Sequence, residues 1–217
     1  MIDFFHWILD FLRHPDVELL KLTQQYGGWT YAVLFAIVFT ETGVVLFPFL
    51  PGDSLLFVAG SIAAQPNSGL ELGKLMGLLF TAALLGDNLN FAIGNYIGPR
   101  AFSGRVPFLK QSYLQQTQDF YARHGGKTII MARFVPIVRT FAPFVAGVGS
   151  MTYRMFISYS IAGAALWVVS ITLLGYFTGN MDFVKHNFEK LIYLIVLLSV
   201  LPPVLTGVKS WLAKKPA

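Results

Sequence analysis

Long apolar runs dominate the chain, and they are of two kinds. Leu75–Ile97, Met155–Thr178 and Leu191–Val208 are uninterrupted. Each approaches the roughly 20 residues that a helix rising 1.5 Å per residue needs to cross a bilayer. The last carries Pro202-Pro203, which predicts a kink or an end near one interface. The other two runs are broken: Trp29–Ala64 at FPFLPGD and Thr128–Ser150 at FVPIVRTFAP. Pro48, Pro51 and Gly52 set the first break, and Pro136 and Pro143 the second. An opened backbone in lipid leaves N–H and C=O groups unsatisfied, so such breaks occur only where protein or a water-filled cavity covers them. Both segments, 29–64 and 128–150, are therefore read as re-entrant helical hairpins.

Residues 1–28 form a different element. Phe4, Ile8, Phe11 and Leu12 share one helical face, with Asp3, Asp10 and Arg13 off it. This pattern suits a helix lying in the membrane interface, and equally one packed against the flank of a bundle. Acids among the first ten residues and the lack of a long apolar core argue against a cleaved signal.

The two broken runs resemble each other. Phe57-Val58-Ala59-Gly60 recurs as Phe144-Val145-Ala146-Gly147, a shift of 87, and Pro48 matches Pro136 at a shift of 88. The expected fold is thus an all-α integral membrane domain of two copies, each a re-entrant hairpin plus a transmembrane helix (75–97, then 155–178). A further span (191–208) ends the chain. An odd number of crossings per copy would invert the second copy relative to the first, as in many secondary transporters.

Composition fits this picture: 55% of residues are hydrophobic and 12% charged, and the mean hydropathy is +0.60. A polytopic membrane protein of one domain follows. With no cysteine, disulfides, thiolate catalysis and cysteine-bound metals are excluded. The formal charge of +5 is spread over short connections, so it argues for orientation and against nucleic acid. Arg100, Arg105, Lys110, Arg123 and Lys127 in the connection 98–127, and Lys209, Lys214 and Lys215 in the tail, place both on the cytoplasmic side. The side of the N-terminus depends on whether the first broken run crosses fully; the hairpin reading puts it outside.

Charges inside the apolar runs carry the functional argument. Glu41, Asp53, Asp87, Arg133 and Arg139 would each cost about 2.5–3.5 kcal/mol at the bilayer centre. Together that is on the order of 10 kcal/mol, comparable to the net stability of a whole domain. They must pair or face a wet cavity. Glu41 and Asp53 fit a salt bridge or helix cap, or a protonatable pair, since burial and a second nearby acid both favour the neutral carboxyl. Arg133 and Arg139, six apart around Pro136, would lie on different faces of a continuous helix but converge across a break. They neutralise the acids or bind phosphate oxygens, and the two roles are compatible. A helix starting after Pro143 would add N–H donors for an anion.

Other polar features admit two readings. Asp87, Asn88 and Asn90 line a pathway or make interhelical hydrogen bonds. Gly94/Gly98 and Gly175/Gly179 mark close helix packing, with a homo-oligomer contact as the second reading. His6, His14, His124 and His186 lack metal-ligand spacing, so no metal site or cofactor is expected, and His124-Gly125-Gly126 reads as a turn.

Glu41–Gly60 (ETGVVLFPFLPGDSLLFVAG), His124–Met151 (HGGKTIIMARFVPIVRTFAPFVAGVGSM), Gly163 and Trp167 resemble the bacterial DedA family of the SNARE-associated/VTT-domain superfamily. The resemblance covers nearly the whole chain and implies a multi-pass inner-membrane protein with two facing re-entrant hairpins. Family members are implicated in returning undecaprenyl phosphate, a lipid carrier of envelope synthesis, across the membrane, and in dependence on the proton-motive force. By resemblance, the functional acids fall on Glu41 and Asp53 and the functional arginines on Arg133 and Arg139. The expected partners are a polyprenyl phosphate or other anionic lipid, protons and the membrane. A proton-coupled exporter of small solutes or drugs is the alternative. An enzyme acting on lipid phosphates is not expected, because the chain has neither a G-x-S-x-G elbow nor a histidine within its membrane segments.

Overall fold

The computed structural model describes residues 15–44, 52–66, 68–101, 125–149, 151–179 and 181. Among these the regular structure is entirely helical: α1 Pro15–Tyr26, α2 Trp29–Gly43, α3 Gly52–Ala63, α4 Leu72–Ala101, α5 Lys127–Ala132, α6 Pro136–Val148 and α7 Tyr153–Thr178. The expected helical face of Phe4–Arg13, Pro48, Pro51, the span Leu191–Val208, most of the basic connection and all four histidines lie outside the described residues.

Among the described residues two helices are long and apolar enough to cross a membrane, Leu72–Gly98 and Tyr153–Thr178. Their outward faces carry Leu85, Leu89, Ile97, Leu166, Val169, Leu174 and Phe177, all exposed. Apolar surface of this extent is disfavoured in water and matches hydrocarbon.

Both broken runs are broken in the structure. The first divides into α2 and α3, and Gly52 opens α3. In the second, α5 ends at Ala132, Val135 is extended, and Pro136 occupies the first turn of α6, where its missing N–H has no intrahelical role. One expectation is overturned: Pro143 breaks nothing and begins no helix, because α6 runs through it to Val148. A proline cannot donate to the carbonyl four residues back, and its ring crowds the preceding turn. Here the neighbouring Thr140 carbonyl accepts a hydrogen bond from Asn90 Nδ2 at 2.6 Å, so part of the disturbed turn is satisfied from another helix.

Side chains pack into two apolar cores. Leu34, Val38, Leu55, Leu56, Leu75, Leu79, Ala83, Ala164, Trp167 and Val168 form the larger one, and Leu19 of α1 docks into it. Phe91, Ile129, Ala132, Ala142, Ala146 and Phe156 form the smaller, with the Phe91 and Phe156 rings stacked at 4.2 Å. The first core takes the N-terminal half of α4 and the C-terminal half of α7, and the second takes the opposite halves. The two long helices therefore run antiparallel.

Close backbone contacts link the repeated segments to these helices in a matched way. A Cβ at Gly175 or Gly60 would strike the α3–α7 partner, at the Phe57 and Thr172 carbonyls respectively. A Cβ at Gly94 or Gly147 would strike the α4–α6 partner, at the Phe144 and Phe91 carbonyls. Phe57 and Gly60 recur as Phe144 and Gly147 in the sequence, and the second arm of each broken run packs on the long helix that follows the other broken run.

Candidate functional site

Between the two cores lies a polar layer. On α4 it falls at Asp87 and Asn90, between Ala83 of one core and Phe91 of the other; on α7 it falls at Ser160, between Phe156 and Ala164. Asp87 is roughly 22 Å along α4 from Leu72 and roughly 16 Å from Gly98 at 1.5 Å per residue, near mid-span.

Glu41 enters the layer from the last turn of α2, Asp53 from the first turn of α3, Arg133 from the bend after α5 and Arg139 from α6. Arg139 donates Nη2 to Glu41 Oε1 and Nη1 to Asp53 Oδ1, the latter at 2.5 Å. Arg133 donates Nη1 to Asp87 Oδ2 at 2.6 Å, and the Ser160 hydroxyl donates to the same oxygen at 2.5 Å. The Trp167 indole N–H donates to Asp53 Oδ1 at 2.7 Å. Both guanidiniums lie by the Trp167 ring, Arg139 at 4.9 Å and Arg133 at 5.5 Å from its centroid, within cation–π range. The bend at Arg133–Val135 thus brings the two arginines together.

The sequence-predicted site residues converge here with one refinement. Glu41 and Asp53 both pair with Arg139, while the partner of Arg133 is Asp87. Asn90 makes interhelical hydrogen bonds, donating to the Thr42 carbonyl near the end of α2 at 3.0 Å as well as to Thr140. Gly52 lies so close to the Glu41 carboxyl that any Cβ there would collide with it. Ser160 was not singled out by sequence, and Trp167 only through the resemblance. Their signal is spacing: Ser160, Gly163, Ala164 and Trp167 line one buried face of α7 at helical intervals.

Three carboxylates face two guanidiniums, so the fully ionised layer carries one excess negative charge, which uptake of one proton would neutralise. Asp53 is the most accessible of the five side chains, 18% exposed against 0–5% for the rest. Several buried polar atoms have no partner among the described residues: Glu41 Oε2, Arg139 Nε, and Arg133 Nε and Nη2. Unsatisfied guanidinium N–H groups are donors for an anion.

Two long apolar helices, two interrupted ones and a charged layer midway along the long pair, all among the described residues, define a helical membrane protein with a buried polar site. The chain belongs to the VTT-domain (DedA) family: the VTT domain matches residues 50–177, a stretch that holds all the site residues except Glu41. It is 49% identical over 94% of both chains to the protein DedA of Escherichia coli K12. Over 88% of this chain and 85% of the relative, it is 40% identical to an uncharacterized membrane protein of Mycobacterium tuberculosis H37Rv. It is also 33% identical to the inner membrane protein YghB of Salmonella typhimurium, over 78% and 77% of the two chains. No solved structure gives a significant match.

Proposed function

We propose that this chain is a proton-coupled lipid transporter of the bacterial inner membrane, and that it translocates a polyprenyl phosphate, undecaprenyl phosphate being the natural case. The observation that carries this reading is the convergence of Arg133 and Arg139 at mid-span with three buried guanidinium donors lacking an acceptor among the described residues. A phosphate monoester supplies both the charge and the oxygens such donors require.

The same segment offers a place for the tail. Met131, Phe134, Val138 and Phe141, interleaved with the buried arginines, are exposed. A headgroup at the arginines would leave its chain along this apolar stripe. Antiparallel α4 and α7, each packed on the other copy's second arm, suit inverted re-entrant repeats that alternate access by rocking one pair against the other. The basic connection and tail put the C-terminus in the cytoplasm. No covalent step is involved, and the lipid phosphate emerges intact.

Coupling follows from competition. Glu41 and Asp53 occupy Arg139; a proton on either loosens that hold and favours an incoming phosphate. In proteoliposomes, Arg133→Ala and Arg139→Ala should each slow translocation of undecaprenyl phosphate about tenfold to a hundredfold, the worth of a hydrogen-bonded charged contact. Unchanged rates in both variants would remove the arginines from the mechanism. Glu41→Gln and Asp53→Asn should abolish the response to an imposed proton gradient, and a wild-type response in both would refute the coupling. Movement of a soluble drug with no movement of lipid would identify a solute exporter instead.

A further inference from the structure

The two arginines engage their five donors differently. Arg139 directs Nη1 to Asp53 and Nη2 to Glu41, leaving Nε without an acceptor among the described residues. Arg133 directs Nη1 to Asp87 and leaves both Nε and Nη2 without one. The Nε–H and one Nη2–H of a guanidinium point in parallel along one edge of its plane. That edge binds two oxygens of a phosphate or carboxylate side by side. Arg133 therefore keeps an intact two-donor edge inside the protein, its side chain 5% exposed. Arg139 does not.

Building on the transporter reading, we infer that Arg133, through its Nε–Nη2 edge, is the receptor for the phosphate monoester headgroup, while Arg139 is the latch that answers to Glu41 and Asp53. Asp87, held by Nη1 outside that edge, is then the carboxylate whose charge opposes the phosphate beside Arg133. Ser160 is a positioning residue: its hydroxyl donates to the same Asp87 oxygen that Arg133 reaches, so it holds Asp87 toward α7 while a phosphate occupies the Nε–Nη2 edge. Among the described residues the charged groups of the layer around Arg133 are Asp87 from α4, Glu41 from α2, Asp53 from α3 and Arg139 from α6; α7 contributes the uncharged Ser160 and Trp167. A proton on Glu41 or Asp53 releases Arg139 only. The charge beside the Arg133 edge is set by Asp87.

The test is binding to the full chain in nanodiscs, with farnesyl phosphate and inorganic phosphate as probes. Lysine preserves the charge but not the planar edge. Arg133→Lys should weaken farnesyl phosphate on the order of tenfold, the loss of one charge-assisted hydrogen bond, and Arg139→Lys distinctly less. Asp87→Asn, which removes the opposing charge and keeps the shape, should tighten binding more than Glu41→Gln does; this arm decides the matter if Arg133→Lys fails to give a monodisperse protein. Equal or greater loss in Arg139→Lys, or weaker binding in Asp87→Asn, overturns the division of roles. Inorganic phosphate bound as tightly as farnesyl phosphate would support the Arg133 receptor while assigning it to free phosphate. Wild-type protein that binds neither probe would overturn the transporter reading as well. Normal wild-type binding with unaltered Arg133→Lys would overturn this inference alone.

Discussion

Arg139→Ala is expected to destabilise the protein by about 3–5 kcal/mol, the cost of removing one partner from a buried ion pair. For a chain of this size that corresponds to a fall of roughly 10 °C in the unfolding temperature. Arg139 holds two carboxylates at once, and Glu41 is fully buried. Without the guanidinium, Glu41 keeps the nearby Asp53 as a like charge, while Arg133 remains committed to Asp87. The loss is electrostatic and not steric, so it should be reversible by chemistry: adding Glu41→Gln and Asp53→Asn to Arg139→Ala removes the stranded charges and should recover most of the lost stability. Thermal unfolding of detergent-purified variants, followed by tryptophan fluorescence, reads both steps. A triple variant no more stable than Arg139→Ala would show that the acids are not the source of the loss.

The charged layer was legible in the sequence because ionisable groups within apolar runs have few acceptable environments, and Glu41, Asp53, Asp87, Arg133 and Arg139 all lie within such runs. Which acid meets which arginine was not. Three carboxylates compete for two guanidiniums, and the choice is made by the bend at Arg133–Val135 and by the depth of Asp87 on α4, neither of which has a local signature. Pro143 shows the opposite failure. A proline inside a helix ordinarily costs about 3 kcal/mol, which justifies expecting a break. The helix persists with Asn90 donating to the adjacent Thr140 carbonyl, a bond made across 50 residues. Four residues recur at a shift of 87 in the sequence. The long helices correspond at a different shift, 81, in their contacts: Phe91 with Thr172, Gly94 with Gly175, Gly98 with Gly179. Only the glycines are identical, so the match emerges from the packing.

That packing sets the second large effect. Gly60→Val and Gly147→Val should each destabilise the protein by several kcal/mol, beyond the roughly 1–3 kcal/mol usual for overpacking, and to a similar extent. At Gly60 a new Cβ would meet the Thr172 carbonyl oxygen and lie 3.2 Å from Thr172 Cα; at Gly147 it would meet the Phe91 carbonyl oxygen and lie 2.7 Å from the Asn95 nitrogen. These are backbone atoms of transmembrane helices, which move only if a whole helix moves. Because α3 packs on α7 and α6 on α4, either substitution wedges apart one closely packed pair of helices. Both pairs border the charged layer, since Asp53 stands in the first turn of α3 and Arg139 in α6. Transport should therefore fall together with thermal stability. Gly77→Ala is the internal control: nothing lies within 4 Å of its added Cβ, and alanine favours the helix by up to about 1 kcal/mol. It should leave the unfolding temperature unchanged or slightly raised. Comparable damage at Gly77 would mean that loss of glycine flexibility, rather than close helix contact, governs the other two positions.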